Sequence, residues 1–342
     1  MLECIVTDKE EGRRTDRFLM KMLPKAPGSL IYKALRTKQI KVNNLRAEAG
    51  TKLMANDTVQ IYFSEERLAE LGYRSTVPVT KNVQSKIQVP VLYEDEQILI
   101  LNKPAGVLSQ KDTPESYSLS EYLLEYLEPE GGWRGTFRPG LCNRLDRGTS
   151  GIVVAGKTLG ALQSLTASIR EHESEKTYLA ICQGVCPWKK EMWLRHEWHK
   201  DARQNRVTLR RIYVGPQPVQ DTHFEEQAVC RVKVLGVSKQ NHMTFFELHL
   251  ITGKSHQLRA QLASEGFPII GDHKYCKAMQ REKNTHQLLH AWRFQAKQLQ
   301  EPLKYLENRI FQAPLPEDFA AILKKTFPAM VSIYCEQGED YV

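Results

Sequence analysis

The chain has 342 residues, of which 41% are hydrophobic, 48 are lysine or arginine and 40 are aspartate or glutamate. This composition is typical of a folded protein with one large and one small domain. The longest apolar runs fall well short of the roughly 20 residues of a membrane-spanning helix, and the charged N-terminus lacks the apolar stretch of a signal peptide. We therefore expect a cytoplasmic protein with no membrane partner.

The seven cysteines are odd in number and scattered along the chain, which indicates reduced thiols rather than a disulfide framework. Cys182 and Cys186 are close to each other, and His196 and His199 follow them. The spacings between these four residues are shorter than those of zinc fingers. We expect buried structural cysteines and no metal site.

The net charge of +8 is concentrated near the N-terminus. Residues 1–63 contain 12 lysines and arginines against 7 aspartates and glutamates. A positive field of this kind permits nucleic-acid binding without proving it.

The N-terminal residues predict two short helices followed by short strands. Arg13–Leu23 has a helical pattern, and Ser29 is placed to cap a second helix over residues 30–38. Residues 40–43 and 57–63 are typical of strands. The pattern leaves the cationic side chains of the second helix on its outer face.

Residues 12–63 resemble an S4-type RNA-binding domain, although Asn56 stands where a glycine is usual. In that domain the helix pair and the turn after it sit on folded RNA. The resemblance implies that Lys33, Arg36 and Lys38 contact RNA. The alternative is a solvated basic helix without a function, which is the commoner fate of three exposed cations.

We divide the chain into three parts. Residues 1–65 are predicted to form a small S4-like α/β domain, and residues 66–90 mix charge, glycine and proline as a linker does. Residues 91–342 are predicted to form the second domain.

The second domain alternates short β runs with helical stretches. Leu119–Leu127 and Leu159–Arg170 predict helices, and Glu317–Phe327 predicts a last amphipathic helix. Strands and helices in this arrangement favour an α+β fold with a mixed, mostly antiparallel central sheet.

The segment CNRLDRGTSG surrounds one acidic side chain with cations. Asp146 lies between Arg144 and Arg147, and Leu145 precedes it. On an extended backbone Arg144 and Asp146 point to the same side and Leu145 to the other. Taken alone, the segment is an ion pair that caps a tight turn.

The second domain excludes several enzyme classes by what it lacks. A glycosidase needs two carboxyl groups, a metal-dependent nuclease needs several acids, and no serine lies in a GxSxG context. A lone aspartate can act as a nucleophile, since it is ionised at neutral pH and needs no partner base. A buried carboxylate requires an arginine partner. Arg259 is our candidate, because Arg144 could instead point outward to RNA.

The second domain resembles the RluA-type pseudouridine synthases over about residues 90–315. The motifs that carry this resemblance are NKPAG at 102–106, RLDRGTSG at 144–151, KTY at 176–178, TGKSHQLR at 252–259, GFPIIGD at 266–272 and LLHAW at 288–292.

This resemblance implies a pseudouridine synthase fold and the isomerisation of a uridine already in RNA to pseudouridine. Asp146 is then the nucleophile, attacking the anomeric carbon of the ribose, and Arg259 keeps it ionised. Tyr178 stacks on the detached uracil. Arg144 and Lys176 bind the RNA or the uridine, which must leave its stack to reach a pocket. No metal and no organic cofactor is implied.

One residue departs from the family pattern. Asn143 stands where the family usually has histidine, and an asparagine can only form hydrogen bonds. Because Asp146 needs no base, we interpret this change as compatible with activity. We interpret His256 and His290 as structural residues, and residues 194–206 as a solvated loop.

Two other functions stay open from the sequence. The first is a non-catalytic RNA-binding or ribosome-assembly factor that retains the fold. The second is a hydrolase, for which this sequence offers no second acid beside Asp146. The presence of Asp146, Tyr178 and Arg259 together favours the isomerase. We expect the partner to be large-subunit ribosomal RNA and the protein to be a monomer.

Overall fold

A computed structural model describes most of the chain. The described residues are 2–73, 87–113, 116–127, 137–201, 206–218, 226–276 and 286–335. They form a four-stranded sheet near the N-terminus and an eleven-stranded sheet in the remainder. Within these ranges no helix combines the length and the apolar character needed to cross a bilayer.

The N-terminal sheet is antiparallel and has the order β1-β4-β2-β3. Two helices pack on it, and a third follows. The elements are β1 (Leu2–Ile5), α1 (Thr15–Met22), α2 (Gly28–Arg36), β2 (Ile40–Val42), β3 (Leu45–Arg46), β4 (Thr58–Ile61) and α3 (Glu65–Glu70).

The second helix of this region begins earlier than the sequence predicts. The residue that caps α2 is Pro27, whose extended backbone has a φ of −60°. The carbonyl oxygen of Pro27 accepts the backbone N–H of Ile31 at 3.4 Å. Ser29 therefore lies inside the first turn, and the prediction that it caps the helix is wrong. The fixed φ of a proline already suits a helix start.

The first part of the predicted linker belongs to the N-terminal core. Helix α3 is capped by Ser64, whose hydroxyl accepts the backbone N–H of Arg67 at 3.2 Å. Leu68 and Leu71 are buried in the hydrophobic cluster of the N-terminal sheet. Residues 74–86 of the linker lie outside the described residues. The three-part division of the chain stays a prediction.

A buried carboxylate connects the N-terminal region to the rest of the chain. Glu10 is fully buried, and its carboxylate accepts the backbone N–H of Phe137 at 3.0 Å. The guanidinium of Arg13 lies 5.8 Å from the centre of the Phe137 ring. The two regions are thus in direct contact.

The large sheet has the order β11-β10-β12-β13-β9-β14-β8-β6-β5, with β15 beside β14 and β7 beside β8. Among the described strands only β14 and β8 pair in parallel. The prediction of an α+β fold with a mixed, mostly antiparallel sheet is confirmed. The strands are β5 (Val91–Glu94), β6 (Ile98–Lys103), β7 (Gly140–Leu141), β8 (Ser150–Gly156), β9 (Ser174–Gln183), β10 (Met192–Asp201), β11 (Arg206–Gly215), β12 (Gln227–Ser238), β13 (Met243–Leu250), β14 (Leu289–Ala296) and β15 (Ile310–Gln312).

Five helices accompany this sheet. They are α4 (Leu119–Leu127), α5 (Leu159–Arg170), α6 (Gln257–Ser264), α7 (Glu317–Thr326) and α8 (Val331–Tyr334). The predicted bounds of α4 and α5 are confirmed, and α7 ends one residue early. Helix α6 was not predicted, because its residues from Gln257 to Leu262, polar and apolar alike, are all buried, whereas an ordinary surface helix exposes its polar face.

The structure overturns the prediction of a solvated loop at residues 194–206. Most of this segment lies in β10, which pairs antiparallel with β11; residues 202–205 lie outside the described ranges. His196 is only 1% exposed, and it is hydrogen-bonded to Glu265 and to Gln261, both at 3.0 Å. His196, Gln261 and Glu265 satisfy one another across the strand and α6, so His196 is buried although its segment is polar.

His290 joins three segments of the large sheet. Its side chain is fully buried, Nδ1 lies 2.9 Å from the hydroxyl of Ser150, and Nε2 lies 3.3 Å from the carbonyl oxygen of Ala313. Burial lowers the pKa of His290 to about 4. Residue 290 is therefore neutral in the folded protein at neutral pH.

This neutral histidine makes folding stability depend on pH. The unfolded chain binds a proton at His290 below its ordinary pKa of ~6.5, whereas the folded chain does so only near pH 4. The neutral form of His290 contributes stability above the unfolded-state pKa of ~6.5. This contribution is lost as the pH falls from there to the folded-state pKa of about 4. We expect His290→Asn to reduce the slope of unfolding free energy against pH by up to ~1.4 kcal/mol per pH unit, measured by urea unfolding. An unchanged slope would contradict this assignment.

Candidate active site

Asp146 lies in the loop that leads from β7 into β8. The predicted strand is a loop here, although its residues keep the expected alternation: Arg144 is exposed, Leu145 is buried and Asp146 is partly exposed. The backbone N–H of Thr149 donates to the carbonyl oxygen of Asp146 at 3.0 Å and closes the turn. The buried Leu145 side chain fixes which way its two charged neighbours face.

The segment after β6 holds this loop in place. The hydroxyl of Ser109 donates to the carbonyl oxygen of Leu145 at 2.8 Å and accepts the N–H of Leu145 at 3.0 Å. The ammonium of Lys103, which is fully buried, donates to three backbone carbonyl oxygens, including that of Arg147 at 3.2 Å. Burial lowers the pKa of Lys103 to about 7, and the nearby charge of Asp146 opposes that effect.

Asn143 is engaged with the backbone of β8. Its amide nitrogen donates to the carbonyl oxygen of Ile152 at 3.2 Å, and its amide oxygen accepts the N–H of Val154 at 2.8 Å. Both ends of the amide are therefore used to attach the loop to the strand. These contacts describe a residue that positions the backbone.

Arg259 on α6 connects the loop to a second acidic residue. Its Nη1 lies 2.8 Å from Oδ2 of Asp146, 113 residues earlier in the chain. Its Nε and Nη2 lie 2.7 Å and 2.9 Å from the two carboxylate oxygens of Asp272. One guanidinium thus binds Asp272 through two parallel hydrogen bonds and Asp146 through one.

Asp272 is fully buried and is held by the backbone as well. Its Oδ1 accepts the N–H groups of Lys274 at 3.0 Å and Tyr275 at 3.2 Å. The ring of Tyr275 lies 5.3 Å from the guanidinium carbon of Arg259. Asp272 and Tyr275 together fix the orientation of Arg259 from the side away from the loop.

The charges in this cluster stabilise one another. Burial tends to lower the pKa of Arg259, but hydrogen bonds and the negative charges of Asp272 and Asp146 outweigh burial and raise it. Burial tends to raise the pKa of Asp272, but Arg259 and the two backbone N–H groups lower it below its ordinary value. Arg259 and Asp272 therefore stay charged across the neutral range.

A small cleft with a volume of about 90 Å³ opens at Asp146. Tyr178 on β9 lines this cleft, and it lies opposite Leu248 of β13 and Ala291 of β14 in the sheet. Burial raises the pKa of the Tyr178 phenol, and the charge of Asp146 adds to this effect. The cleft therefore offers a carboxylate, a guanidinium and a neutral aromatic ring.

His256 lies at the edge of the same cleft, at the start of α6. Its backbone is left-handed, with a φ of 54°, and its Nδ1 lies 3.2 Å from the hydroxyl of Tyr275. Burial lowers the pKa of His256, and this effect exceeds the opposing effect of Asp146. His256 is thus a neutral residue that borders the cleft. Among the described residues, no hydrogen bond joins its side chain to the carboxylate of Asp146.

The structure brings some of the predicted site residues together and separates others. Arg144 is exposed at the mouth of the cleft. Lys176 does not line the cleft but lies in a neighbouring cavity. The three N-terminal cations, Lys33, Arg36 and Lys38, are all exposed on or just after α2.

The sequence interpretation missed the roles of Asp272 and Tyr275. Asp272 is present in the quoted GFPIIGD motif, but the motif alone gave it no partner. The signal in the sequence is a second acid, Asp272, which follows Arg259 by 13 residues. One arginine can bind Asp272 and Asp146 at the same time. The geometry of a bridging guanidinium could not be inferred from spacing.

Comparisons with known proteins relate this chain to enzymes that modify RNA. The family model described as RNA pseudouridylate synthase matches residues 97–264. An uncharacterized RNA pseudouridine synthase of Mycoplasma pneumoniae is 30% identical over 331 residues, covering 94% of this chain and 97% of that protein. Ribosomal large subunit pseudouridine synthase C of Escherichia coli is 31% identical over 272 residues, covering 79% and 78% of the two chains.

A solved structure is more distantly similar. The human RNA pseudouridylate synthase domain containing 4 superimposes with a TM-score of 0.48 at 21% identity, covering 69% of this chain and 92% of that one.

Proposed function

The chain belongs to the RluA-type family of RNA pseudouridine synthases, and we propose that it modifies large-subunit ribosomal RNA with Asp146 as its nucleophile. Family membership confirms the prediction of an isomerase that converts uridine in RNA to pseudouridine. The non-catalytic alternative has no comparable support. We propose, beyond family membership, which RNA is modified and what each residue of the site does.

The observation that carries the proposed mechanism is the 2.8 Å contact between Asp146 and Arg259 at the cleft. The side chain of Asp146 is 25% exposed, so the carboxylate is accessible from the cleft although Arg259 holds one of its oxygens. A carboxylate in this state can attack carbon without a partner base. Arg259 orients it through the hydrogen bond from Nη1.

The proposed reaction has two displacements at the ribose. The Asp146 carboxylate bonds to C1′ while the bond from C1′ to N1 of uracil breaks, and uracil leaves as an anion. The ring turns, its C5 bonds to C1′, and the carboxylate leaves. The proton on C5 is then lost, and N1 gains one. Tyr178 supplies a flat surface that keeps the detached ring in the cleft.

Two observations support ribosomal RNA as the substrate. Several relatives of about 30% identity are named as ribosomal large subunit pseudouridine synthase C. The exposed cations of α2 also suit the phosphates of a folded RNA, as the S4-like interpretation requires. We further propose that the enzyme acts as a monomer in the cytoplasm. Mapping pseudouridines in total RNA with and without this protein identifies the target uridine.

The proposed nucleophile gives the first test of this function. We expect Asp146→Asn to abolish pseudouridine formation and to leave RNA affinity largely unchanged, because the amide has the same shape but cannot attack carbon. Single-turnover assays and filter binding measure the two quantities. Asp112→Asn, which changes another exposed acid, is the matched control and should retain full activity. Pseudouridine formation by the Asp146 variant would remove the mechanism.

The N-terminal cations give a second test. Replacing Lys33, Arg36 and Lys38 by glutamine should weaken RNA binding and reduce the slope of log affinity against log salt by about 2 to 3, at ~0.9 per lost phosphate contact.

The matched control replaces three other exposed lysines by glutamine, Lys304, Lys324 and Lys325. This control changes the net charge equally. Equal salt slopes in the two triple variants would show that the cations of α2 have no special role in RNA binding.

A further inference from the structure

A second cavity of about 270 Å³ lies beside the catalytic cleft. Leu250, at the end of β13, lines both spaces. The second cavity is formed mainly by the start of β9, the neighbouring strands and the segment after β14. The cavity and the cleft therefore share part of one wall.

Most charged side chains around this cavity have a partner of opposite charge. The ion pairs are Lys297 with Glu175 at 2.5 Å and Arg231 with Glu191 at 3.4 Å, and Nε2 of His249 lies 3.1 Å from a carboxylate oxygen of Glu247. His172 contributes a contact from its Nδ1 to the carbonyl oxygen of Ile251 at 2.9 Å. These groups neutralise one another within the wall.

Lys176 is the exception in this wall. Lys176 is 8% exposed, and no hydrogen bond or ion pair joins its ammonium group to another described residue. Burial lowers the pKa of Lys176 to about 8. The side chain is therefore still mostly a cation at neutral pH, and an unpaired buried cation costs folding free energy that an apolar residue would avoid.

Ser174 adds a hydrogen-bonding group to the same cavity. Its hydroxyl is buried and has no partner among the described residues. Ser174 and Lys176 are two residues apart on β9, so both can face one ligand. A buried hydroxyl without a partner is unusual in a native protein.

We propose that Lys176 and Ser174 bind one phosphodiester group of the RNA beside the target uridine. This inference rests on the proposed function, because the ligand is part of the RNA substrate. A phosphodiester carries one negative charge and offers oxygen acceptors, which match one unpaired ammonium and one unpaired hydroxyl. Lys176 lies two residues, about 7 Å along the strand, from Tyr178, so the phosphate is that of a linkage flanking the uridine.

The main test compares Lys176 with a lysine outside the cavity. We expect Lys176→Met to lower kcat/KM about tenfold or more, because a charged hydrogen bond is lost, and to reduce the salt slope of RNA binding by about 0.7 to 0.9. The melting temperature should not fall, since an unpaired buried cation is removed. The control Lys239→Met removes an exposed lysine that does not line the cavity and should change kcat/KM less than twofold.

A chemical change in the RNA identifies the phosphate. The probe is a short RNA around the mapped uridine, in which each flanking linkage in turn is a neutral methylphosphonate. At one linkage the methylphosphonate should weaken RNA binding to the wild-type protein. At that same linkage it should not weaken RNA binding to Lys176→Met any further. Ser174→Ala should show a smaller loss at the same linkage.

Several outcomes would overturn this proposal. One is that Lys176→Met has normal kinetics and a normal salt slope of RNA binding. Another is that a methylphosphonate at each linkage weakens RNA binding to Lys176→Met as much as it weakens binding to the wild type. Inorganic phosphate that raises the melting temperature of the wild type but not of Lys176→Met, with normal RNA kinetics in both, would assign the cavity to a small anion. If Lys176→Met is normal while Asp146→Asn is inactive, only this inference fails.

Discussion

The hydrogen bonds of one guanidinium organise the cleft. Arg259 donates two parallel bonds to the buried Asp272 and a third to the more exposed Asp146. The first two bonds fix the plane of the guanidinium, and Nη1 is left to hold Asp146. The position of the proposed nucleophile therefore depends on an acid that does not line the cleft.

The surrounding fold supplies what this buried cluster requires. A buried ion pair is weak evidence for stability, because desolvation offsets its Coulomb attraction. Here the backbone N–H groups of residues 274 and 275 satisfy Asp272, and Arg259 is a buried residue of α6. On the other side, Lys103 and Ser109 hold the loop of Asp146 through its backbone. Two independently fixed supports meet at one contact of 2.8 Å.

Local patterns in the sequence predicted a large part of this architecture. The apolar periodicity gave the bounds of α4 and α5, and the alternation around Leu145 indicated which side chains face outward. The pairing of Asp146 with Arg259 followed from the need of a buried carboxylate for a cation, together with the family motifs. The helix bounds and the alternation concern residues whose neighbours in sequence determine their placement, whereas the pairing of Asp146 with Arg259 needed the motifs as well.

The parts that could not be predicted depend on long-range packing. Helix α6 buries polar residues such as Gln257 and Gln261 together with apolar ones, so it does not show the exposed polar face of an ordinary surface helix. His196 was assigned to a solvated loop because its segment is polar, whereas Glu265 and Gln261 satisfy it in the interior. The role of Asp272 and the unpaired state of Lys176 are properties of three-dimensional neighbours that no spacing rule contains.

The most direct measurement of the central claim is the single-turnover rate of Asp272→Asn at saturating RNA, in protein that still unfolds cooperatively. Asp272 does not line the cleft, and its two hydrogen bonds to Arg259 connect it to Asp146. A misplacement of about 1 Å at the nucleophile predicts a rate about 10²-fold lower than that of the wild type, with unchanged RNA affinity. A rate equal to that of the wild type would contradict the claim that the bridging arginine positions Asp146.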